Sequence, residues 1–223
     1  RRRQSVPGVV TVLRDWRLRV TLLAALDIET TGIDPDEDLI LEISWVITDE
    51  DFNTITPLRT AIVRHNLAGL QDVWLLLREN DVVRNMHQQS GLIPAINTDS
   101  PVSMEALALM FRDDVNLANT THGDAFGEEV PQVHLTGNSI AFDREFLKRN
   151  PTWSNFFDSD VLGIEIHHRL LDLSSVKMML DAVGVTWKKA ENPGPHRAAN
   201  DVLEVVEQGQ IFHTLLTELK GNN

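Results

Sequence analysis

The chain has 223 residues, of which 42% are hydrophobic and 24% are charged, a composition typical of globular proteins and not of disordered or collagen-like ones. It contains no cysteine and no tyrosine, which excludes disulfides, cysteine-ligated metal sites and any chemistry that needs a thiolate or a phenol. The net charge of −13 disfavours binding to long duplex DNA, because such binding depends on neutralising phosphates.

The charge is unevenly placed along the chain. Residues 1–19 carry six arginines against one aspartate, which predicts a basic N-terminal extension that need not be ordered. The remaining residues, 20–223, contain no Pro- or Gly-rich linker and are predicted to form a single domain. The uncharged run at 20–26 is far shorter than the roughly 20 apolar residues of a membrane span. With no cysteine, the chain also suits a reducing compartment, so we expect a cytoplasmic protein that does not span a membrane.

Hydrophobic patterns and turn signals predict a sheet covered by helices. Strands are predicted at 21–29, 39–47 and 54–65, joined by turns into an antiparallel meander. The later predicted elements are helical pieces within 67–91, a helix at 103–117, a loop at 119–131, a strand at 133–136, a helix at 139–149, a strand at 169–171, and helices at 174–183 and 198–219. This order predicts an α/β fold with a mixed five-stranded sheet flanked by helices.

Two carboxylates lie where the first strand should be buried. Asp27 and Glu29 are two residues apart, so they point to the same face of the strand. Like charges this close are costly to bury unless a cation neutralises them. The pattern alone is weak, because Asp143 and Glu145 repeat it and a strand end near solvent would also tolerate it.

Two further acidic residues lie on helix faces that should pack inward. Asp143 falls on the stripe formed by Ile140 and Leu147, whereas Glu145 lies about 200° around the helix and should be solvated. Asp201 lies on the apolar face of the last predicted helix. Four inward carboxylates from three predicted elements favour a site that binds cations.

One histidine accompanies these acids. His196 follows the loop 192–195 and precedes Asp201 by five residues, which would hold an imidazole beside the mouth of the site. The spacing alone discriminates poorly, since His167 and Asp172 share it; Asp172 is better explained as the residue that begins a helix. The remaining histidines considered show no ligand spacing and are interpreted as structural or exposed: His65, His87, His122 and His134.

Taken in order, these motifs resemble the DEDDh exonucleases of the ribonuclease H-like fold. The motifs are DIETTG at 27–32, GNS at 137–139 with Asp143, and His196 with Asp201. Within that superfamily the sequence is most similar to the oligoribonuclease family, over most of residues 22–207. The subtype that uses tyrosine as general base is excluded, because the chain has no tyrosine.

The resemblance implies a metal-dependent hydrolase. By this resemblance, Asp27, Glu29, Asp143 and Asp201 hold two Mg²⁺ or Mn²⁺ ions, whose charge of +4 matches four carboxylates. His196 is then the general base that takes a proton from the attacking water. The implied reaction runs 3′ to 5′ on short RNA and releases nucleoside 5′-monophosphates.

The resemblance also implies a homodimer and a small pocket for the terminal phosphate of a short single-stranded oligonucleotide. Ser139, Arg169 and Ser174 occupy the matching positions, and a guanidinium with two hydroxyls suits an anion. Ile33 stands where the family places an apolar wedge against a base, and a role in the core is an equal alternative. His168 stands where the family has a tyrosine donated by the partner subunit.

Several family features are missing, and they leave the substrate open. Asp81, Val82 and Val83 lie where a family tryptophan is expected. This loss and the histidine at 168 affect the expected dinucleotide preference but not the metal chemistry. A DEDDh exonuclease that trims single-stranded DNA is therefore an alternative, and a catalytically silent nucleic-acid-binding module is another. Substrate length and the choice between Mg²⁺ and Mn²⁺ are also open.

Overall fold

A computed structural model describes residues 21–122, 131–158, 163–187 and 194–221. The predicted basic extension and most of the predicted loop at 119–131 lie outside these residues. The strands are β1 Leu22–Thr30, β2 Ile40–Thr48, β3 Arg59–Ile62, β4 Gln132–Gly137, β5 Glu165–Ile166 and β6 Leu171–Asp172. The helices are α1 Leu67–Glu79, α2 Asp81–Gln89, α3 Leu92–Thr98, α4 Met104–His122, α5 Ala141–Arg149, α6 Asn155–Asp158, α7 Leu173–Ala182 and α8 Ala198–Gly221.

The strands form one mixed sheet in the order β3-β2-β1-β4-β5, with β6 also paired to β4. The first three strands make the predicted antiparallel meander, and β4 runs parallel to β1. The prediction of five strands needs a correction, because the described sheet has six. Both β5 and β6 have two residues and pair with successive parts of β4, so together they occupy one interrupted position at the sheet edge.

Several element boundaries differ from the predictions. The third strand was expected over 54–65 but spans only Arg59–Ile62, with Thr54 in an isolated bridge to Thr48. The strand expected at 169–171 begins at Leu171, and β5 was not predicted at all. Strands of two residues are too short for a periodic pattern to reveal. The helix α4 continues to 122, into the predicted loop, and α3 was also missed.

Both faces of the sheet are covered, which explains why all nine residues of β2 are buried. Leu22, Ala24 and Leu26 of β1 pack into the core on the α4 side. Leu23 and Ala25 pack with Val202 and Phe212 of α8 on the other side. Since side chains alternate along a strand, Asp27 and Glu29 continue the face that α8 covers. This arrangement brings the end of β1 against the start of α8.

A buried ion pair stabilises the α4 side of the sheet. The Asp114 carboxylate is 3% exposed and accepts two hydrogen bonds of 3.0 Å from the Arg59 guanidinium. It accepts a third, also 3.0 Å, from the indole nitrogen of Trp45. Trp45 belongs to the core on the α4 side, so this carboxylate lies on the opposite face of the sheet from α8. None of the described helices is long and apolar enough to cross a membrane.

Candidate active site

The carboxylates of Asp27, Glu29 and Asp201 converge at the end of β1. One oxygen from each lies within 4.8 Å of the others. The strand places the two β1 acids on the same face, and α8 places Asp201 in its first turn, where it packs against that face. Oxygen atoms this close can share one divalent cation. The fold therefore brings together three of the four predicted acids.

The fourth acid, Asp143, is hydrogen-bonded to the backbone of β1 between the two acids of that strand. Its side chain is buried, and Oδ1 accepts a 2.9 Å hydrogen bond from the backbone N–H of Ile28, the residue between the two β1 acids. This bond fixes α5 against β1 and leaves the second carboxylate oxygen of Asp143 outside that contact. Glu145 lies on the solvated side as predicted, with 47% of its side chain exposed.

Burial and mutual repulsion make the four acids difficult to ionise together. Burial raises the pKa of Asp27 and Asp143, and the neighbouring carboxylates raise that of Asp27 further. Burial, Asp201 and Glu42 raise the pKa of Glu29 from 4.5 to about 8, against the opposing charge of Arg197. Burial also raises the pKa of Asp201. Without a cation, these clustered oxygens repel one another. Such an arrangement is typical of a site for hard divalent metals.

This electrostatic conflict predicts an unusual pH dependence for the metal-free protein. The pKa of Glu29 is higher in the folded protein (about 8) than the ordinary value of 4.5, so the folded state binds the proton more tightly. The resulting stability is fully present below about pH 4.5 and is lost as pH rises towards 8. We expect the Tm in chelator to fall from about pH 5 to about pH 8, and saturating Mn²⁺ to restore it at the higher pH. A metal-free Tm that is constant or rises over this range would contradict the inference that burial and repulsion keep Glu29 protonated in the folded protein.

His196 lies exposed at the entrance to α8, beside Asp201. The influence of His196 lowers the pKa of Asp201, against the larger effect of burial, which raises it. The side chain of Asn200 donates to the carbonyl of Pro195 at 2.8 Å and so closes this turn onto the helix. Residues 192 and 193 of the predicted loop lie outside the described part of the chain.

A second histidine, His87, lies next to the site, and its interpretation from the sequence as structural or exposed agrees with a structural position. The side chain is fully buried, with Nε2 2.8 Å from the carbonyl of Thr30. Burial lowers the pKa of His87, so we assign the neutral ring with Nε2–H as donor. Its Nδ1 lies 3.8 Å from Glu29 Oε2 and has no hydrogen-bond partner among the described residues. At this distance the two side chains form neither a hydrogen bond nor, with a neutral ring, an ion pair.

The two predicted phosphate-binding serines lie together because Asp172 binds the backbone of both. Oδ1 of Asp172 accepts the N–H of Ser139 at 3.1 Å and the N–H of Ser174 at 2.9 Å. The prediction that Asp172 begins a helix is confirmed, since it caps α7. Ser139 has φ +58°, a left-handed conformation that residues other than glycine rarely adopt, and the bond to Asp172 holds it there.

The backbone of Arg169, the third predicted phosphate ligand, is hydrogen-bonded to the imidazoles of two histidines. Its N–H donates to Nδ1 of His167 at 3.1 Å, and its carbonyl lies 3.1 Å from Nδ1 of His134. His168 is exposed, and its ring packs on that of His167 with centroids 4.2 Å apart. Both Arg169 and His168 are thus presented to solvent from one ordered turn at the sheet edge.

Ile33 projects from the loop that follows β1. The alternative that it belongs to the core is wrong, because the side chain is 83% exposed. Asp38 fixes this loop: its Oδ1 accepts from the Thr31 hydroxyl at 2.7 Å and its Oδ2 accepts from the N–H of Asp34 at 3.0 Å. A Cβ on Gly32 would overlap the Asp38 carboxylate, so a larger residue would disturb the two bonds that hold this loop. Of the residues at the expected tryptophan position, Val82 in the first turn of α2 is 79% exposed.

Comparison with known proteins identifies the family. No protein-family model matches the sequence. The chain is 31% identical over 192 residues to an oligoribonuclease of Leifsonia xyli subsp. xyli, covering 83% of this chain and 79% of the relative. It is 32% identical to an oligoribonuclease of Azoarcus sp. (strain BH72), over 84% of this chain and 90% of the relative. It is also 32% identical to an oligoribonuclease of Mycobacterium tuberculosis (strain ATCC 25177 / H37Ra), over 85% of this chain and 79% of the relative.

Solved structures with a similar fold include exonuclease I. The crystal structure of E. coli exonuclease I with a dT13 oligonucleotide has a TM-score of 0.56 and 17% identity over 91% of this chain and 43% of that chain. Exonuclease I from Methylocaldum szegediense has a TM-score of 0.51 and 14% identity over 88% and 43%. The chain spans less than half of these proteins and shares their ribonuclease H-like fold. By its sequence relatives, the chain belongs to the oligoribonuclease family of 3′ to 5′ exonucleases.

Proposed function

We propose that this protein is a metal-dependent 3′ to 5′ exoribonuclease that hydrolyses short oligoribonucleotides to nucleoside 5′-monophosphates, and so takes part in the last steps of RNA degradation. The observation that carries the proposal is the convergence of Asp27, Glu29 and Asp201 within 4.8 Å, with Asp143 hydrogen-bonded to the strand between the first two. The relatives named oligoribonuclease support the choice of RNA over other substrates.

The four carboxylates would hold two divalent ions, Mg²⁺ or Mn²⁺. Two such ions carry the charge needed to balance four ionised acids, and oxygen ligands suit both metals. When bound, the ions would stabilise the negative charge that develops on the attacking and leaving oxygens of the phosphodiester. The carboxylates of this chain would hold the ions, and the sheet and the two helices that carry the carboxylates would fix their positions.

His196 would act as the general base. An imidazole can take up and release a proton near neutral pH, and this one lies beside Asp201 while remaining exposed to solvent. It would take a proton from the water that attacks the terminal phosphodiester and later return that proton to solvent. The Asp201 carboxylate would stabilise the imidazolium that forms in this step.

Residues around the mouth of the site would select a short substrate. The hydroxyls of Ser139 and Ser174 and the guanidinium of Arg169 would bind the terminal phosphate, and Ile33 would pack against a base. In a homodimer, the exposed ring of His168 would stack on a base bound to the other subunit. The net charge of −13 is consistent with a substrate that has few phosphates and with a cytoplasmic enzyme that does not act on long duplexes.

The second candidate is an exonuclease that trims single-stranded DNA. It is favoured by the fold shared with exonuclease I, which has been solved with a dT13 oligonucleotide and with single-stranded DNA. That similarity is at the level of the fold, with 17% and 15% identity. The sequence relatives therefore favour RNA.

A side-by-side assay separates these candidates. We expect RNA of two to seven nucleotides to be hydrolysed faster, at equal concentration with Mg²⁺ or Mn²⁺, than a single-stranded DNA thirteen-mer. The assay should follow release of nucleoside 5′-monophosphates, and chelator should stop it. Clear preference for the DNA would favour the second candidate. Oligonucleotide binding without hydrolysis under all metal conditions would overturn both and favour a catalytically silent module.

A further inference from the structure

Glu42 is a buried carboxylate that belongs to none of the predicted site positions. It lies on β2, directly opposite Glu29 in the antiparallel register, and only 1% of its side chain is exposed. An isolated charge at such a position would be strongly destabilising, so its partners determine what it does. All the hydrogen bonds described for it come from the chain that leads into α8.

Arg197 and Ala198 hold this carboxylate. Nε of Arg197 lies 3.0 and 3.2 Å from the two Glu42 oxygens, and its terminal nitrogen lies 2.5 Å from Oε1. The backbone N–H of Ala198, the first residue of α8, donates to Oε2 at 3.1 Å. A two-pronged guanidinium contact fixes direction as well as distance. Glu42 therefore caps α8 and binds the residue just before it.

Arg197 lies between two predicted catalytic groups. His196 precedes it, and the carbonyl of Arg197 accepts the N–H of Asp201 at 3.1 Å. A shift of Arg197 would therefore displace both the imidazole and the Asp201 carboxylate. Glu42 lies opposite Glu29 in the strand pair, so its contacts hold the start of α8 next to the part of β1 that carries Asp27 and Glu29.

We propose that Glu42 is a positioning residue: through its two-pronged contact with Arg197 and its bond to Ala198, it holds His196 and Asp201 in register with Asp27 and Glu29. This inference rests on the proposed function. Glu42 acts through Arg197 and the start of α8, and it touches none of the atoms that would react.

The test compares Glu42→Gln with Asp114→Asn. The glutamine keeps the shape of the side chain and an acceptor for Ala198, but it removes the charge that binds Arg197. Loss of a residue that orients metal ligands usually weakens metal affinity or activity by about 10- to 100-fold. For Glu42→Gln we expect kcat on a diribonucleotide to fall by about this factor with little change in KM. We also expect the Mn²⁺ concentration for half-maximal thermal stabilisation to rise by about this factor.

Asp114→Asn is the matched control. Like Glu42→Gln, it removes the charge of a buried carboxylate that accepts two hydrogen bonds from an arginine. Asp114, however, lies on the opposite face of the sheet from α8. We expect it to lower the Tm while leaving kcat and the Mn²⁺ midpoint within about twofold of wild type. If Glu42→Gln does not fold, Arg197→Lys, which keeps the charge but loses the two-pronged contact, should show the same changes in kcat and metal midpoint.

Two results would overturn the inference. One is a folded Glu42→Gln variant, or Arg197→Lys in its place, with the wild-type Mn²⁺ midpoint and kcat. The other is a control variant that shifts both quantities as much, since this would show general loss of stability. The Mn²⁺ midpoint is measured without substrate, so it tests the positioning of Asp201 separately from catalysis. If the wild-type protein binds Mn²⁺ but cleaves no oligonucleotide, the proposed function is wrong, and the effect of Glu42 on the metal site can still be measured.

Discussion

Replacement of Asp27 by asparagine should nearly abolish hydrolysis while stabilising the metal-free protein. The substitution removes one of the carboxylates that would hold the ions, and metal ions contribute several kcal/mol of transition-state stabilisation, so we expect kcat to fall by roughly 10³-fold or more. The same change removes a buried acid whose pKa is raised by burial and by three other site carboxylates. At about pH 8 in chelator, the Tm of Asp27→Asn should therefore exceed that of wild type.

The matched control for this experiment is Glu145→Gln. Glu145 is also acidic and is near Asp143 in sequence, but its side chain is 47% exposed on the other side of α5. We expect it to change neither kcat nor the stabilisation by Mn²⁺. Activity of Asp27→Asn within tenfold of wild type, or a metal-free Tm below that of wild type, would contradict the role of Asp27.

His196→Ala should lower turnover without removing the metal site. General acid–base catalysis contributes roughly 10² to 10⁴ in rate, so we expect kcat to fall by this factor. Stabilisation by Mn²⁺ should be retained, because the four carboxylates are unchanged.

His213→Ala provides the control for the histidine. His213 lies on the same helix, α8, and its Nε2 is 3.0 Å from Oδ1 of Asp51, away from the predicted catalytic residues. We expect its removal to leave kcat within about twofold of wild type. Unchanged turnover in His196→Ala would reject the assignment of the general base, and loss of Mn²⁺ stabilisation would instead indicate that His196 helps to build the metal site.

The position of the four acids could be predicted because local periodicity determines which face each side chain occupies. Alternation along β1 places Asp27 and Glu29 together, and the helical period places Asp143 inward and Glu145 outward. The strands of the meander and the helices α5, α7 and α8 were found for the same reason. These features depend only on residues near one another in the chain.

The residues that surround the acids could not be found in this way. Contact between Glu42 and Arg197 joins positions far apart in the chain, and no local pattern reveals the register that puts Glu42 opposite Glu29. His87 lies 3.8 Å from Glu29 only because the fold brings α2 to the end of β1, where the ring contacts the Thr30 carbonyl, so its sequence spacing carried no signal. The exposure of Ile33 depends in the same way on how Asp38 folds the loop back.

The most direct test of the metal site is anomalous scattering from crystals containing Mn²⁺ and a short oligoribonucleotide that cannot be cleaved. We expect two Mn²⁺ peaks about 3.5 to 4 Å apart, bound by oxygens of Asp27, Glu29, Asp143 and Asp201. Their absence at saturating Mn²⁺, with these carboxylates hydrogen-bonded to one another or to water, would contradict a two-metal nuclease site.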